Sequence, residues 1–375
     1  MRKFILTIFL FFISINASLA IEEINLDIKE EKRNTFDYLS DVYYGKVENK
    51  DEVSPILRLF SQKGLEFKNS PINSVKLTLL YASTATYNLP ERGSKSFVHD
   101  FGVLEPMVTV KFNNNRSEAM FDINTLRDLK GYSNEFTEKI NRVYVAHDIN
   151  KNQRILFGQG GRLPTTYNGS LGTMAQEFVL KSQLGRTYGD IMSVGFRNYG
   201  KYKYLDYDIG VYDSTRYMKD FGRGVDFTGY LTFKPLSDFN EKYGNLKLGT
   251  GYNIGEYNTS YNIYSFYLGY DYHKLHFRTE YANADGHNSI VYSNNKSDGF
   301  YTTFAYDITS KISLIGRYDI FNPHKEVAND NIQEYTAGIT YKPFKNMKVM
   351  LNFARRNYDN KDDSNLIMFA TRFII

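Results

Sequence analysis

The chain has no cysteine and no tryptophan, and it has no long apolar stretch beyond its amino terminus. The absence of cysteine excludes a disulfide framework, thiolate zinc sites and thiol catalysis. No later stretch reaches the roughly 18 apolar residues of a membrane helix, and the mean hydropathy of −0.46 is that of a soluble chain. These absences leave a transmembrane β-barrel possible, because its strands alternate apolar and polar residues.

The first 20 residues resemble a secretory signal peptide. A basic start at Arg2 and Lys3 precedes a short apolar run, and Ser18 and Ala20 supply the small residues of a cleavage site. The run is shorter than the roughly 20 residues that a membrane-spanning helix needs. We therefore predict that residues 1–20 are removed and that the mature chain is exported.

The charges of the chain are nearly balanced. The formal net charge is +4, and two of the positive charges belong to the signal peptide, which leaves +2 for the mature chain. This balance gives no reason to expect nucleic acid as a partner. The 32 tyrosines and 28 phenylalanines are typical of β-structure and of aromatic girdles at membrane interfaces.

Residues 21–70 differ from the rest of the chain. They are rich in charge, and their apolar residues recur at helical rather than alternate spacing. We predict one or two short helices outside any sheet. A periplasmic extension, a plug in the lumen of a barrel, a partner-binding segment and a solvated appendage all fit this pattern.

From about Val75 onward the apolar residues recur every second position, as in a strand with one apolar face. Leu351 and Phe353, for example, alternate with Asn352 and Ala354. Short connections alternate with longer polar ones, as in outer-membrane barrels. The predicted short turns are residues 113–115, 150–152, 199–201, 272–274, 308–311 and 343–346, and the predicted long loops are residues 86–102, 125–138, 213–223, 284–297, 322–331 and 356–364.

This pattern predicts an all-β fold, a transmembrane antiparallel β-barrel of about sixteen strands over residues 71–375. A sheet in hydrocarbon must close on itself, because unpaired backbone groups find no partner there. In the closing strand the apolar face would meet lipid, and Arg372 on the other face would meet the lumen. The residues predicted to face lipid are Ile367, Phe369, Phe373 and Ile375.

Residues 161–189 form the longest predicted loop. Their apolar piece, residues 178–184, could pass for a strand, but counting it as one would give an odd number of strands. A loop of this length can fold into the lumen and narrow it. Its charged residues suggest mild anion preference, or else they are solvated or pin the loop to an acidic wall; they are Arg162, Lys181, Arg186 and Glu177.

The polar faces of the strands carry the predicted pore-lining charges. Charges of mixed sign favour a weakly selective, water-filled pore over one with a ring of a single sign. The basic residues are Lys76, Lys111, Arg154, Arg197, Lys247, Arg278, Arg317 and Lys348, and the acidic residues are Asp206, Asp208, Glu280 and Asp319.

The sequence suggests neither a metal centre nor an enzyme. His273 and His276 lie at opposite parity on a strand, so one metal ion could not readily take both. No serine and histidine, or aspartate and histidine, stand at a recognisable catalytic spacing. We therefore predict no cofactor, no metal and no catalytic residue.

Three stretches of the chain resemble the phosphate-selective porin O and P family. They are RILFGQGGRLP (154–164), GRYDIFNP (316–323) and TAGITYKPFKNMKVMLNFARRNY (336–358), together with the closing strand. The resemblance implies a sixteen-stranded, usually trimeric, anion-passing pore. The arginine ladder of that family has no residue-by-residue match here, so phosphate selectivity is not implied. The chain also ends in Ile375, where such barrels usually end in an aromatic residue.

Taken together, these features predict a porin of the bacterial outer membrane that passes small hydrophilic solutes or anions by diffusion. Its expected partners are membrane lipid, the permeating solutes and two further copies of the chain in a homotrimer. Two alternatives stay open: a non-conducting structural or adhesin-type barrel and, with less support, a barrel hydrolase.

Overall fold

The computed structural model describes residues 58–68, 70–125, 139–160, 165–189, 192–214, 222, 224–257, 259–288 and 291–375. The predicted signal peptide, residues 21–57 of the predicted extension and Arg162 lie outside these residues. A short strand, β1 (Leu65–Glu66), precedes sixteen longer ones. These are β2 (Ile72–Pro90), β3 (Ser96–Phe112), β4 (Ser117–Ile123), β5 (Ile140–Asn150), β6 (Gln153–Gln159), β7 (Gly195–Lys201), β8 (Leu205–Asp213), β9 (Val225–Phe233), β10 (Asn245–Tyr257), β11 (Thr259–Tyr272), β12 (Leu275–Asn288), β13 (Val291–Asp307), β14 (Ile312–Asn322), β15 (Ile332–Tyr341), β16 (Met347–Tyr358) and β17 (Ser364–Ile374).

The sixteen strands β2–β17 form one closed antiparallel barrel. Each strand pairs with the next along the chain, and β17 pairs with β2 from Ile374 opposite Leu80 to Ser364 opposite Pro90. The last residue completes the seam, because Leu79 and Ile375 exchange backbone hydrogen bonds of 2.8 and 3.0 Å. Closure gives the backbone groups of both end strands a partner. The predicted sixteen-stranded barrel is confirmed.

Alternation separates the two faces of the barrel wall. On β16, Leu351 and Phe353 are about half exposed, whereas Asn352 and Ala354 are buried. On β17, Ile367 is exposed and Arg372 is buried. Because the apolar side chains point outward and the polar ones inward, the exterior matches hydrocarbon and the interior is polar.

The two ends of the barrel differ in their connections. At one end, the turn end, β3–β4, β5–β6, β7–β8, β11–β12, β13–β14 and β15–β16 are joined by at most five residues. The turn end also holds the start of β2 and the carboxyl terminus. One connection there is longer, since residues 234–244 join β9 to β10 and contain the helix α3 (Asn240–Tyr243).

Several predicted boundaries were wrong at the opposite end, the loop end. Most of residues 86–102 belongs to β2 and β3, and most of residues 284–297 belongs to β12 and β13. These stretches are polar because both faces of a strand can meet water beyond the membrane, and the strands stay paired there. One boundary was also wrong at the turn end: residues 199–201, predicted as a turn, are the end of β7, and residues 202–204 form the turn.

The described part of the predicted extension does not lie wholly outside the sheet. Leu65 pairs with Val75 and Glu66 pairs with Ser74, so β1 joins the start of β2 at the turn end. The prediction of helices outside any sheet is therefore wrong for these two residues. Their alternation is too short to be recognised in the sequence.

Candidate functional site

The connection between β6 and β7 contains the inner segment, defined here as residues 165–189. It contains two short helices, α1 (Tyr167–Ser170) and α2 (Gln183–Tyr188), each with a side-chain cap from Thr166 or Ser182. Residues 178–184 form no strand. The inner segment contacts the inward face of seven consecutive strands, β11–β17, as the contacts below show.

Apolar side chains of the inner segment pack into three patches on that face, the smallest of which joins Phe178 to Ala305 and Ile315. Leu184 and Tyr188 lie in one buried cluster with residues of β11–β14. Val179 lies in another with Met350 of β16 and Met368 of β17. Burying a large apolar side chain contributes about 1.5–3 kcal/mol, so these contacts hold both halves of the inner segment against the wall.

Three basic residues of the wall donate hydrogen bonds to backbone carbonyls of the inner segment. Arg317 binds the carbonyl of Leu180 at 2.9 Å, and Lys348 binds that of Gln176 at 3.3 Å. Arg372 reaches several carbonyls, among them those of Thr173 at 2.7 Å and Val179 at 2.9 Å. These cations satisfy backbone acceptors that would otherwise be buried without a partner.

Wall acceptors bind the backbone N–H groups of the same segment. Glu280 accepts from Tyr167 at 2.6 Å and from Asn168 at 3.1 Å. Asp319 accepts from Gln183 at 2.7 Å. Hydrogen bonds from backbone N–H groups to a carboxylate are stronger than neutral ones, so both acids position the helices of the inner segment.

A buried ion network lies beneath α2. Glu334 accepts from Arg317 at 2.8 Å and from Arg356 at 2.5 Å, and the Arg186 guanidinium lies 3.6 Å from the same carboxylate. Glu334 and the Arg317 side chain are almost fully buried. A charge removed from water in this way is tolerated only with such partners.

The inner segment leaves one side of the lumen open. A cavity of about 950 Å³ lies between residues 167–175 and a wall made mainly by β2–β5 and β7–β9. Its charged lining is balanced in sign: the basic residues are Lys76, Arg142, Arg197 and Lys201, and the acidic residues are Glu105, Asp122, Asp206 and Asp208. The barrel interior is thus divided into a filled half and an open half.

Five of the eight charged residues named as lining the cavity take part in ion pairs. Arg142 binds Asp122 at 2.6 Å, and Arg197 binds Asp208 through two hydrogen bonds. Asp206 is paired with Lys234 at 2.7 Å. Opposed fixed charges create a local field but little net attraction for ions of one sign.

The predicted pore-lining residues fall into three groups. Lys76, Arg197, Asp206 and Asp208 line the cavity. Arg317, Lys348, Glu280 and Asp319 face inward but bind the inner segment. The remaining four lie elsewhere: Arg154 binds Glu118 at 2.7 Å, Arg278 binds Asp271 at 2.5 Å, Lys247 lies 4.0 Å from Asp271, and Lys111 is half-buried opposite Glu118.

The predicted loop charges are also directed to specific contacts. Lys181 donates to the backbone carbonyl of Gly169 at 2.6 Å, and Arg186 lies beside Glu334. The backbone carbonyl of Glu177 accepts from the Thr340 hydroxyl at 3.1 Å. Lys181 and Arg186 are therefore engaged with the protein rather than with the open cavity.

Sequence reasoning overlooked several residues of the site. Glu105, Arg142 and Tyr167 line the cavity, and Arg356 completes the buried network. Parity could have found Glu105, because it shares the inward face of β3 with Met107, two residues along the strand. No sequence signal marks Tyr167, whose ring stacks on that of Tyr267 with centroids 3.9 Å apart.

One serine and one histidine are brought together, which the sequence did not predict. Ser117 and His147 are partners across β4 and β5, with Oγ and Nδ1 2.8 Å apart. Val145 and Ile149, which share the parity of His147, are exposed, so the pair lies on the outer face. No carboxylate of the described residues hydrogen-bonds the imidazole.

Within the described part of the chain, no group of three or more histidine, aspartate or glutamate side chains is arranged to hold a metal ion. The described helices include none that is long and apolar enough to cross a membrane.

No protein-family model matches the chain, and no curated protein sequence matches it. Comparison with solved structures does find similar barrels. An anion-selective porin from Comamonas acidovorans aligns with a TM-score of 0.60 and 11% identity, over 80% of this chain and 99% of that one. OmpF of Salmonella typhi, in complex with daunomycin, aligns with a TM-score of 0.59 and 11% identity, over 82% and 100%.

The outer-membrane channel DcaP of Acinetobacter baumannii aligns with a TM-score of 0.58 and 11% identity, over 83% of this chain and 99% of that one. At such identities the similarity shows the fold alone. The chain has the fold of bacterial outer-membrane porins, in line with the location predicted from its sequence.

Proposed function

We propose that the chain is an outer-membrane porin through which small hydrophilic solutes diffuse passively. The observation that carries this proposal is the polar cavity of about 950 Å³ beside the inner segment, inside a closed barrel with an apolar exterior. A blocked structural barrel needs no such polar space. Solutes would pass between residues 167–175 and the wall of β2–β5 and β7–β9.

We infer that the pore selects by size first and by charge weakly. The paired charges of the cavity leave little net attraction for ions of one sign. Lys181 and Arg186 contribute little to anion preference, because they bind the inner segment and the wall. A mild anion preference therefore depends on Lys76 and Lys201, which line the cavity.

Two finer proposals follow the resemblance to the phosphate-selective porin O and P family. They are membership of that family and assembly as a homotrimer. Detergent-extracted protein, measured by native mass spectrometry, should then have three times the mass of one chain. A monomer at all detergent concentrations would remove the trimer from the proposal and leave the pore untouched.

Conductance tests the main proposal. Purified mature protein added to a planar bilayer should give stepwise currents, and the reversal potential in a salt gradient should show weak selectivity. A variant lacking residues 21–57 keeps β1 and serves as the control for blockage by the amino-terminal segment. If neither protein conducts, the porin proposal fails and the structural or adhesin-type barrel takes its place.

The hydrolase alternative has one observation in its favour, the pair of Ser117 and His147 on the outer face. Ser117 is almost fully buried, and a catalytic serine needs an accessible Oγ and a third group to orient the histidine. We therefore propose that the protein is not an enzyme. Ester hydrolysis that the variant Ser117→Ala abolishes would reverse this.

A further inference from the structure

A further cavity, of about 470 Å³, lies at the turn end of the barrel and shares Tyr199 and Lys201 with the lining of the proposed pore. It is formed by the β3–β4 turn, the β5–β6 turn with its flanking residues and the end of β7. Among the described residues, four basic ones line it, Arg116, Lys151, Arg154 and Lys201, and one acidic one, Asp148. We call this group of residues the basic pocket.

Two of the four basic residues are held in place by the barrel. Arg116 donates to the backbone carbonyl of Ile149 at 2.9 Å and to that of Asp148 at 3.1 Å. Arg154 pairs with Glu118 and, at 3.5 Å, with Asp148. The one acid of the basic pocket is therefore already engaged, and the net charge of its lining is positive.

The other two basic residues are open to solvent. Lys151 and Lys201 are exposed, and neither has an acidic partner among the described residues. Like charges gathered around a cavity repel one another unless an anionic group lies between them. The basic pocket therefore has the charge to bind an acidic ligand.

The chain itself carries such a ligand. Residues 22–31, EEINLDIKEE, contain five acidic residues and one lysine. Over residues 21–57 there are ten acidic and five basic residues, whereas residues 58–375 contain 39 basic and 32 acidic ones. Residues 21–57 thus carry a net charge of −5, and residues 58–375 carry a net charge of +7.

Residues 22–31 are close enough along the chain to reach the basic pocket. The described chain begins at residue 58, and β1 joins it to the start of β2 at the turn end, where the basic pocket also lies. Asn73, at that start, accepts a hydrogen bond of 3.0 Å from the backbone N–H of Asn115 in the β3–β4 turn. The 26 residues between Glu31 and Arg58 can span about 85 Å when extended, more than enough to cross this end of the barrel.

We propose that residues 22–31 of this chain are the acidic ligand that docks in the basic pocket at the turn end of the barrel. Lys151 and Lys201 bind the acidic side chains, and Arg116 contributes a fixed positive charge. Because the docking is electrostatic, high salt releases residues 22–31 by screening the charges. The proposal requires the barrel but not ion conduction.

Cysteine cross-linking tests the docking, because the chain contains no cysteine of its own. In the mature protein, Asn25→Cys is combined with Asn152→Cys in the basic pocket. The control combines Asn25→Cys with Ser310→Cys, an exposed position in the β13–β14 turn at the same end. A short thiol cross-linker should join the first pair several-fold more efficiently than the control pair.

Charge provides the second arm of the experiment. Lys151→Gln with Lys201→Gln should reduce the cross-linking several-fold, as should about 1 M salt, which shortens the screening length to about 3 Å. The matched variant Lys274→Gln with Lys311→Gln at the same end should not. Equal yields for both cysteine pairs, or a yield that neutralisation leaves unchanged, would overturn the proposal, whether or not the protein conducts.

Discussion

Arg372 and Val179 lie 193 positions apart in the chain, and the guanidinium of the first donates to the backbone carbonyl of the second at 2.9 Å. Arg372 belongs to the last strand of the barrel, whereas Val179 belongs to the inner segment. The contact joins the seam of the barrel to the element that fills half of its interior. The position of the inner segment therefore depends on side chains supplied by the wall.

Removing the Arg372 guanidinium should loosen the middle of the inner segment. Arg372→Gln leaves several buried carbonyls without a donor, and loss of charged hydrogen bonds costs about 1.5–3 kcal/mol. We expect a higher and noisier single-channel conductance, with Arg372→Lys showing a smaller change because it keeps the charge. Unchanged conductance in Arg372→Gln would mean that the contact does not hold the segment.

Glu334 should be far more important for stability than a carboxylate on the surface. Glu334→Gln removes the carboxylate that three guanidinium groups share and leaves Asp319, 3.6 Å from Arg317, to balance them. Breaking a buried pair typically costs about 3–5 kcal/mol. The matched variant Asp363→Asn breaks a pair with Arg355, whose side chain is 47% exposed, and should cost about 1 kcal/mol or less. Denaturant unfolding, followed by circular dichroism, compares the free energies of unfolding of the two variants. Equal losses of stability would contradict a stabilising role of the buried ion network.

Two glycines of the inner segment should differ sharply in their tolerance of alanine. A Cβ on Gly189 would collide with the backbone of Gly169, because the backbones of the two residues touch there. A Cβ on Gly172 would meet nothing within 4 Å. Gly189→Ala should displace α1 from α2 and raise the conductance, whereas Gly172→Ala should leave it unchanged. The pair of variants distinguishes close packing from a general need for flexibility.

Arg197 should influence the ion selectivity of the pore. Arg197→Gln removes a positive charge that is paired with Asp208 in the cavity, so the carboxylate is left to attract cations. The reversal potential in a tenfold potassium chloride gradient should shift toward cation selectivity. Lys361→Gln, in the β16–β17 loop, is the control and should not shift it. A shift toward anions would contradict the assignment of Arg197 to the pore.

The architecture was largely predictable because it depends on local alternation. Each strand must present apolar side chains to hydrocarbon and polar ones to the lumen, so adjacent residues such as Leu351 and Asn352 differ in polarity. The same logic placed Arg372 on the inward face. It was misleading for polar stretches such as residues 86–102, where paired strands continue beyond the membrane and both faces can meet water.

The charges of the lumen were predictable as a set but not in their roles. Parity predicts that Arg317 and Arg197 both face inward. Only the position of the inner segment decides that Arg317 binds the carbonyl of Leu180 while Arg197 lines the open cavity. That position depends on contacts between residues more than 100 positions apart, such as Tyr167 with Glu280, and no pattern of neighbouring residues encodes them.

A closed sheet with an apolar exterior follows from the alternation along each strand alone, because the hydrocarbon contacts every second residue. The three-dimensional arrangement of the inner segment sets which half of the interior is filled, which charges neutralise one another and where an opening is left. Those features depend on contacts around the inner segment between side chains that are far apart in the sequence, and a periodic sequence pattern does not predict such contacts.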